Sequence, residues 1–183
     1  MFVRAGDGEA MCTLETERLH LRMFRADDLT AYTEIFSDLE VMRFLGDGKP
    51  ISREEAWRHL AIILGTWRLR GYGIWAVEEK ESGLLLGRVG FIHPEGWPGL
   101  ELAWSLGRPF WGKGYATEAA RACLDYGFRE AGMEHVISLV HPDNHRSRAV
   151  AQRLGEVKEG TTDLRGTEVE VFGIRRSGSQ SPS

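Results

Sequence analysis

The spacing of apolar residues changes several times along the chain, and each change predicts an element. Leu19 and Leu21 alternate with polar neighbours, which predicts a strand over residues 18–23. Leu29, Tyr32 and Phe36 fall on one face of a predicted helix over 27–36. Ser52 and Glu55 form an S-x-x-E capping box that starts a second helix. Its apolar stripe runs through Trp57, Leu60, Ile63, Leu64 and Trp67, and Gly71 closes it. Residues 74–78 and 84–91 read as strands joined by a turn at Glu81-Ser82-Gly83, and a further strand fits 100–106. Ala116, Ala120, Leu124 and Phe128 then repeat at helical spacing, predicting a helix over 116–130 with Gly132 beyond its end. A strand over 135–140, a short helix over 147–154 stopped by Gly155, and strands over 156–159 and 168–174 complete the chain.

This order places strand, helix and strand in the middle, with antiparallel hairpins on both sides. It predicts an α/β or α+β fold, a mixed sheet with helices packed on it. The unit from Leu100 to Val140 should be parallel, because its crossover is a helix. A length of 183 residues suits a single domain, expected over 13–176. The Gly- and acid-rich start (1–12) and the Gly/Ser/Gln/Pro tail (177–183) are expected to be disordered.

Composition narrows the partners. A formal net charge of −4 argues against wholesale binding to nucleic acid or an anionic membrane. No apolar run approaches the roughly 20 residues that span a bilayer. Two cysteines, Cys12 and Cys123, make no disulfide framework, so a reducing cytoplasm is the expected compartment. His93, His141 and His145 make no metal-ligand spacing with them, and no metal is assigned.

The segment that carries chemistry is Leu106-Gly107-Arg108-Pro109-Phe110-Trp111-Gly112-Lys113-Gly114-Tyr115-Ala116-Thr117-Glu118-Ala119. A glycine-rich loop here joins a strand to a helix N-terminus. Glycines let the backbone turn tightly, and the helix start leaves N–H groups unpaired, which suits a phosphate or pyrophosphate. A plain tight turn needs the same glycines. Two nucleotide motifs fail. A Walker A loop needs Ser or Thr after Lys113 and meets Gly114, while Pro109 removes one cradle donor. A dinucleotide fingerprint needs a final Gly or Ala and meets Thr117.

The run from Trp111 to Ala119 resembles the pyrophosphate loop of the GNAT N-acetyltransferase superfamily, Q/R-x-x-G-x-G/A in general form. With Trp111 in place of Gln or Arg, it is similar to the RimJ/RimL-type branch. Glu15-Thr16-Glu17-Arg18-Leu19-His20-Leu21-Arg22, Leu84-Leu85-Leu86-Gly87-Arg88-Val89-Gly90, and Asn144-x-x-Ser147 with Arg153-Leu154-Gly155 also resemble that branch. An aromatic commonly follows the glycine matching Gly155; here Glu156 stands there.

The resemblance implies a mostly antiparallel GNAT-like sheet in which two central parallel strands splay apart and the pantetheine arm of acetyl-CoA lies in the gap. Backbone groups of Ser105 and Leu106 would pair with that arm. Trp111, Gly112, Lys113, Gly114, Tyr115, Ala116 and Thr117 would form the pyrophosphate loop. Asn144 would contact the pantetheine from the far strand. The implied activity is transfer of an acetyl group to a primary amine, on a protein N-terminus or a small molecule. A non-catalytic acyl-CoA-binding module on the same fold is the alternative. Dimers are common in the branch, which makes a homodimer an expectation.

An amine attacks a thioester only when neutral, so a base is needed. Glu101, at the start of the strand leading into the loop, is the candidate; a solvated carboxylate is the plain alternative. Ser147 is the candidate acid or hydrogen-bond partner for the departing sulfur, and equally a helix N-cap. Oxyanion donors are expected at backbone N–H groups near a bulge in the fourth strand. Trp97, Trp75 and Trp104 are candidates to line the acceptor pocket.

Overall fold

The computed structural model describes residues 12–177. The strands are β1 (Leu14–Glu15), β2 (Leu19–Arg22), β3 (Ile74–Glu79), β4 (Leu85–Ile92), β5 (Glu101–Leu106), β6 (His135–Val140), β7 (Val157–Leu164) and β8 (Thr167–Arg175). The helices are α1 (Asp28–Phe36), α2 (Leu39–Met42), α3 (Arg53–Arg70), α4 (Tyr115–Arg129) and α5 (His145–Leu154). One eight-stranded sheet runs β1-β2-β3-β4-β5-β6-β8-β7, antiparallel throughout except where β5 meets β6. The expected tails fall outside the described residues, apart from their inner ends at Cys12 and Ser177.

Local chemistry sets the helix ends. Ser52 and Glu55 close the capping box in both directions, and Gly71 ends α3 in the left-handed conformation. The buried face of α3 is Ala56, Leu60 and Ile63. Trp57 and Leu64, expected in that stripe, are instead 60% and 41% exposed. The stripe is narrower than the apolar residue count suggested: Ala56, Leu60 and Ile63 repeat at i, i+4 and i+7, and Trp57 and Leu64 each stand one residue, about 100°, further round the helix.

Two apolar layers sandwich the sheet. On one face, α4 presents Ala119, Ala120, Cys123 and Leu124 to Leu86, Val89, Leu102 and Val136. On the other, α1 and α3 present Tyr32, Phe36, Leu60 and Ile63 to Ile74, Ala76 and Leu85. At the corner between β2 and α1, buried Arg22 makes a two-pronged contact with Asp28, both prongs at 2.8 Å, and a 2.7 Å bond to Glu78. Such a pair is costly to break one-sidedly, since it leaves an uncompensated charge in the core.

The β5–β6 junction positions the site. Their parallel pairing is confined to Glu101↔Ile137, after which the strands part. The β4–β5 ladder, by contrast, runs without interruption from Gly87↔Leu106 to Ile92↔Glu101. The bulge expected in the fourth predicted strand (100–106, here β5) is therefore absent from this ladder. The irregularity lies between β3 and β4, where Val77 faces Gly87, Glu78 faces Leu85, and Leu86 of β4 is the extra residue.

Candidate active site

A cleft of about 1420 Å³ opens where β5 parts from β6. Trp104, Ser105 and Leu106 line it from β5, the 110–117 loop from below, and Asn144, Ser147 and Val150 from the α5 side. Val41, Phe44 and Leu45 close the opposite wall.

The loop is shaped for an anion. Gly112 and Gly114 have φ of 76° and 85°, a left-handed region that side chains with a Cβ resist. Gly114 is the N-cap of α4 and offers no side-chain cap, so the first-turn N–H groups of Tyr115, Ala116 and Thr117 face the cleft without an intrahelical acceptor. Lys113, Arg121, Arg146 and Arg153 line the same cleft. Arg121 and Arg146 were not singled out from sequence, and Arg153 entered only within the family-like segment, because a cationic helix face reads as a solvated one. These residues fit a pyrophosphate-bearing group: glycines where the backbone must approach, unpaired donors and cations around them.

Ladder alternation refines the expected pantetheine contacts. The Gly107 N–H donates to Leu86 O at 2.8 Å, which fixes the hydrogen-bonded pairs of β4–β5 as those of Ser105, Ala103 and Glu101. Ser105 thus spends its backbone groups on Arg88 and reaches the cleft with its side chain alone. The backbone of Leu102, Trp104 and Leu106 points towards β6. Leu106 O is taken by the Trp111 indole N–H at 2.7 Å, and Leu102 O by the Ser138 hydroxyl at 3.0 Å. Trp104, rather than Ser105, directs its backbone groups into the gap. Trp111 is itself held under the Arg146 guanidinium, 4.4 Å from its ring centre.

The glycine loop is strapped to the N-terminal hairpin. Glu118 Oε1 accepts from the Thr16 hydroxyl at 2.6 Å and from the Arg18 N–H at 2.9 Å; Oε2 accepts from Arg18 Nε at 2.8 Å. Arg18 Nη1 donates to Lys113 O at 3.0 Å, and the guanidinium lies 4.4 Å over the Tyr115 ring. The Tyr115 hydroxyl donates to Glu79. Burial pushes the Glu118 carboxyl up, but the hydrogen bonds from Thr16 and Arg18 more than offset it and hold it below the usual range. Two sequence segments that carry the family resemblance are thus the two halves of one contact. Arg18→Ala is expected to weaken CoA binding about tenfold, the loss of one charge-assisted contact discounted for its half-exposed arginine. Titration calorimetry measures it, and unchanged affinity would leave the strap with no role in the loop.

The acid–base candidates fall as follows. Glu101 is buried rather than solvated: its Oε2 accepts from the Trp97 indole N–H at 2.6 Å. Burial raises its pKa to about 7, moderated by hydrogen bonds from Trp97 and the Leu139 amide and by the charge of Arg88. Its side chain stands on the face of β5 shared with Ser105, behind the cleft wall rather than on it. Asn144 is the N-cap of α5, accepting from the Ser147 N–H at 3.2 Å, so Ser147 is not the cap. The Ser147 hydroxyl accepts from Trp104 Nε1 at 3.3 Å. An indole N–H only donates, so Ser147 keeps its own hydrogen to give elsewhere.

The three tryptophans separate. Trp104 lines the cleft. Trp97 serves Glu101 and packs under Arg165, 5.4 Å from its ring centre, away from the cleft wall. Trp75 is fully buried against Trp67, Phe91 and Tyr126, with its N–H on Cys12 O, and is not a pocket residue. A large aromatic on a central strand buries more surface in the core than any rim position offers. Among the described residues, no three His, Cys, Asp or Glu side chains gather as a metal-holding group, and no helix is long and apolar enough to cross a membrane.

Comparison with known proteins identifies the family and the fold. The Acetyltransferase (GNAT) domain family matches residues 18–157. The Bacillus subtilis protein YkkB is 35% identical over 154 residues, covering 80% of this chain and 86% of that protein. An acetyltransferase from Agrobacterium tumefaciens superposes with a TM-score of 0.80 at 29% identity, over 94% of this chain and 99% of the other. RimL, a ribosomal alpha-N-protein acetyltransferase solved with coenzyme A, shares the fold at a TM-score of 0.77 and 19% identity, over 91% of this chain and 99% of its own. With its forked sheet, glycine loop and matched domain, the chain belongs to the GNAT acetyltransferase family and is an acetyl-CoA-dependent acyltransferase.

Proposed function

We propose that the chain transfers the acetyl group of acetyl-CoA to a primary amine by direct attack within a ternary complex, using a single domain spanning residues 13–176. The acceptor is a protein N-terminal α-amine or a small-molecule amine; the ribosomal N-terminal acetyltransferase with the same fold supports the first class. One observation carries the reading: a buried carboxyl stands at the fork whose open end leads to an uncapped, cation-lined helix start.

In this reading Trp104 and Leu106 pair with the pantetheine, with Asn144 on the far side. Residues 111–117 hold the pyrophosphate. Glu101, ionised near neutral pH, removes the ammonium proton through an intervening water, leaving the amine lone pair to attack the thioester carbonyl. The Ser147 hydroxyl, oriented by Trp104, donates to the sulfur as the C–S bond breaks. Holding both reactants in one cleft supplies much of the rate.

A CoA-release assay over N-terminal peptides, polyamines, amino acids and aminoglycosides tests this, with ligand-dependent melting as the binding control. CoA at about one hundred times its Kd should raise the melting temperature by about 5–10 °C. Gly114→Trp should abolish that rise, because the left-handed position resists a bulky side chain and the loop must rearrange. Stabilisation by CoA with no acceptor in any class would favour the non-catalytic alternative; no stabilisation at all would sink both.

A further inference from the structure

The family-like pattern leaves Glu156 unexplained. It stands where an aromatic is expected, yet it is 4% exposed, and its Oε2 has no hydrogen-bond partner. Its other oxygen leads to the fork. In the parallel register set by Glu101↔Ile137, the next rung would join the Leu139 N–H to Leu102 O, but the pairing stops before it. Side chains take both halves of the missing rung. The Leu139 N–H goes to the Glu101 carboxyl, and Leu102 O accepts from the Ser138 hydroxyl. Because side chains alternate, these two substitutes reach the fork from opposite faces of the sheet.

The Ser138 oxygen lies 3.0 Å from Leu102 O and 3.0 Å from Glu156 Oε1. A hydroxyl carries one hydrogen. Both contacts are hydrogen bonds only if Glu156 brings the second: the carboxylic acid donates to Ser138, and Ser138 donates to Leu102 O. An ionised Glu156 would leave either Leu102 O or its own Oε1 without that hydrogen, and would put negative charge on an Oε2 that meets no donor. Glu101 differs, because the donors around it, the Trp97 indole and the Leu139 amide, both favour its ionised form.

We propose that Glu156 is a positioning residue for acyl transfer: it is the protonated member of a carboxyl pair with Glu101, wedging β5 from β6 through Ser138 and leaving Glu101 free to ionise as the base. The catalytic half of this statement rests on the role given to Glu101 above. The ionisable groups acting on Glu156 are Glu101 on β5 and, through Glu101, Arg88 on β4; His135, also on β6, is engaged by Glu159. Burial raises both carboxyls, and the charge of Glu101 raises Glu156 further, so the pair loses its protons in two steps with Glu101 first.

Infrared spectroscopy of the free protein, titrated from about pH 5 to about pH 8, reads the carboxylic C=O stretch directly. The wild type should lose it in two steps. Glu101→Gln should abolish the earlier step and Glu156→Gln the later one. Loss of the earlier step in Glu156→Gln, or a wild-type spectrum in that variant, overturns the proposal. Should Glu156→Gln fail to fold, Ser138→Ala decides: removing the acceptor should shift the frequency of the later band, and an unshifted band overturns the assignment. No substrate is present, so this outcome is independent of whether Glu101 proves to be the base in kinetic assays.

Discussion

Glu101→Gln should lower kcat by about 10²–10⁴-fold, the usual contribution of a positioned general base, while leaving CoA affinity unchanged. The amide keeps the shape and the Trp97 hydrogen bond but cannot accept a proton. The wild-type rate should fall as pH drops through about 7, where the Glu101 carboxyl titrates. That limb should vanish in the variant. The loss should also shrink for acceptor amines of low pKa, which arrive already neutral. A kcat within a few-fold of wild type, or an acid limb that survives the substitution, would remove Glu101 from the chemistry and leave it a structural part of the fork.

A second large effect is on stability, and its sign runs against intuition for an acidic protein. The Glu101 and Glu156 carboxyls are raised by burial from the ordinary 4.5 to about 7 in the folded chain. Between those values the folded state binds more protons than the unfolded one, so stability falls as pH rises through the window. Glu101 alone corresponds to a loss on the order of 3 kcal/mol. Carboxylates held low by partners, Asp28 and Glu118 among them, act in the opposite sense: their stabilisation is present above the usual carboxylate range and lost as pH falls below it. Urea midpoints should therefore decline from about pH 5 to about pH 8, and Glu101→Gln with Glu156→Gln should flatten the decline. An equally steep decline in the double variant would place its origin elsewhere.

Which of these features are legible in the residues follows from how locally each is encoded. The element order and the mixed sheet rest on apolar spacing, and the loop rests on glycines at positions where only glycine is comfortable. Both survive translation into three dimensions because their causes are within a few residues. The α3 stripe was overcounted, since spacing ranks Trp57 and Leu64 beside Leu60 and Ile63 but does not say how wide the covering layer is. Glu101 is legible as a candidate base and Glu156 as a departure from the family pattern, but the burial of both is not, for another reason. A glutamate at a strand end is ordinarily solvated; the family resemblance implies that the two parallel strands part, but not that side chains fill the missing rung. Ser105 shows a finer limit: its place in the strand was evident, but which edge its backbone serves depends on the register with β4.

The tie between Glu118 and the Arg18 backbone spans 100 residues. Closing so long an intervening segment costs entropy before the contact returns anything, so the anion cradle belongs to the late events of folding. During synthesis, the Thr16 and Arg18 contacts of the first hairpin cannot form until Glu118 of α4 has emerged. Ligand grip is thereby made a report on the integrity of distant parts of the molecule: a partly assembled chain would have glycines in the right order and nothing to brace them.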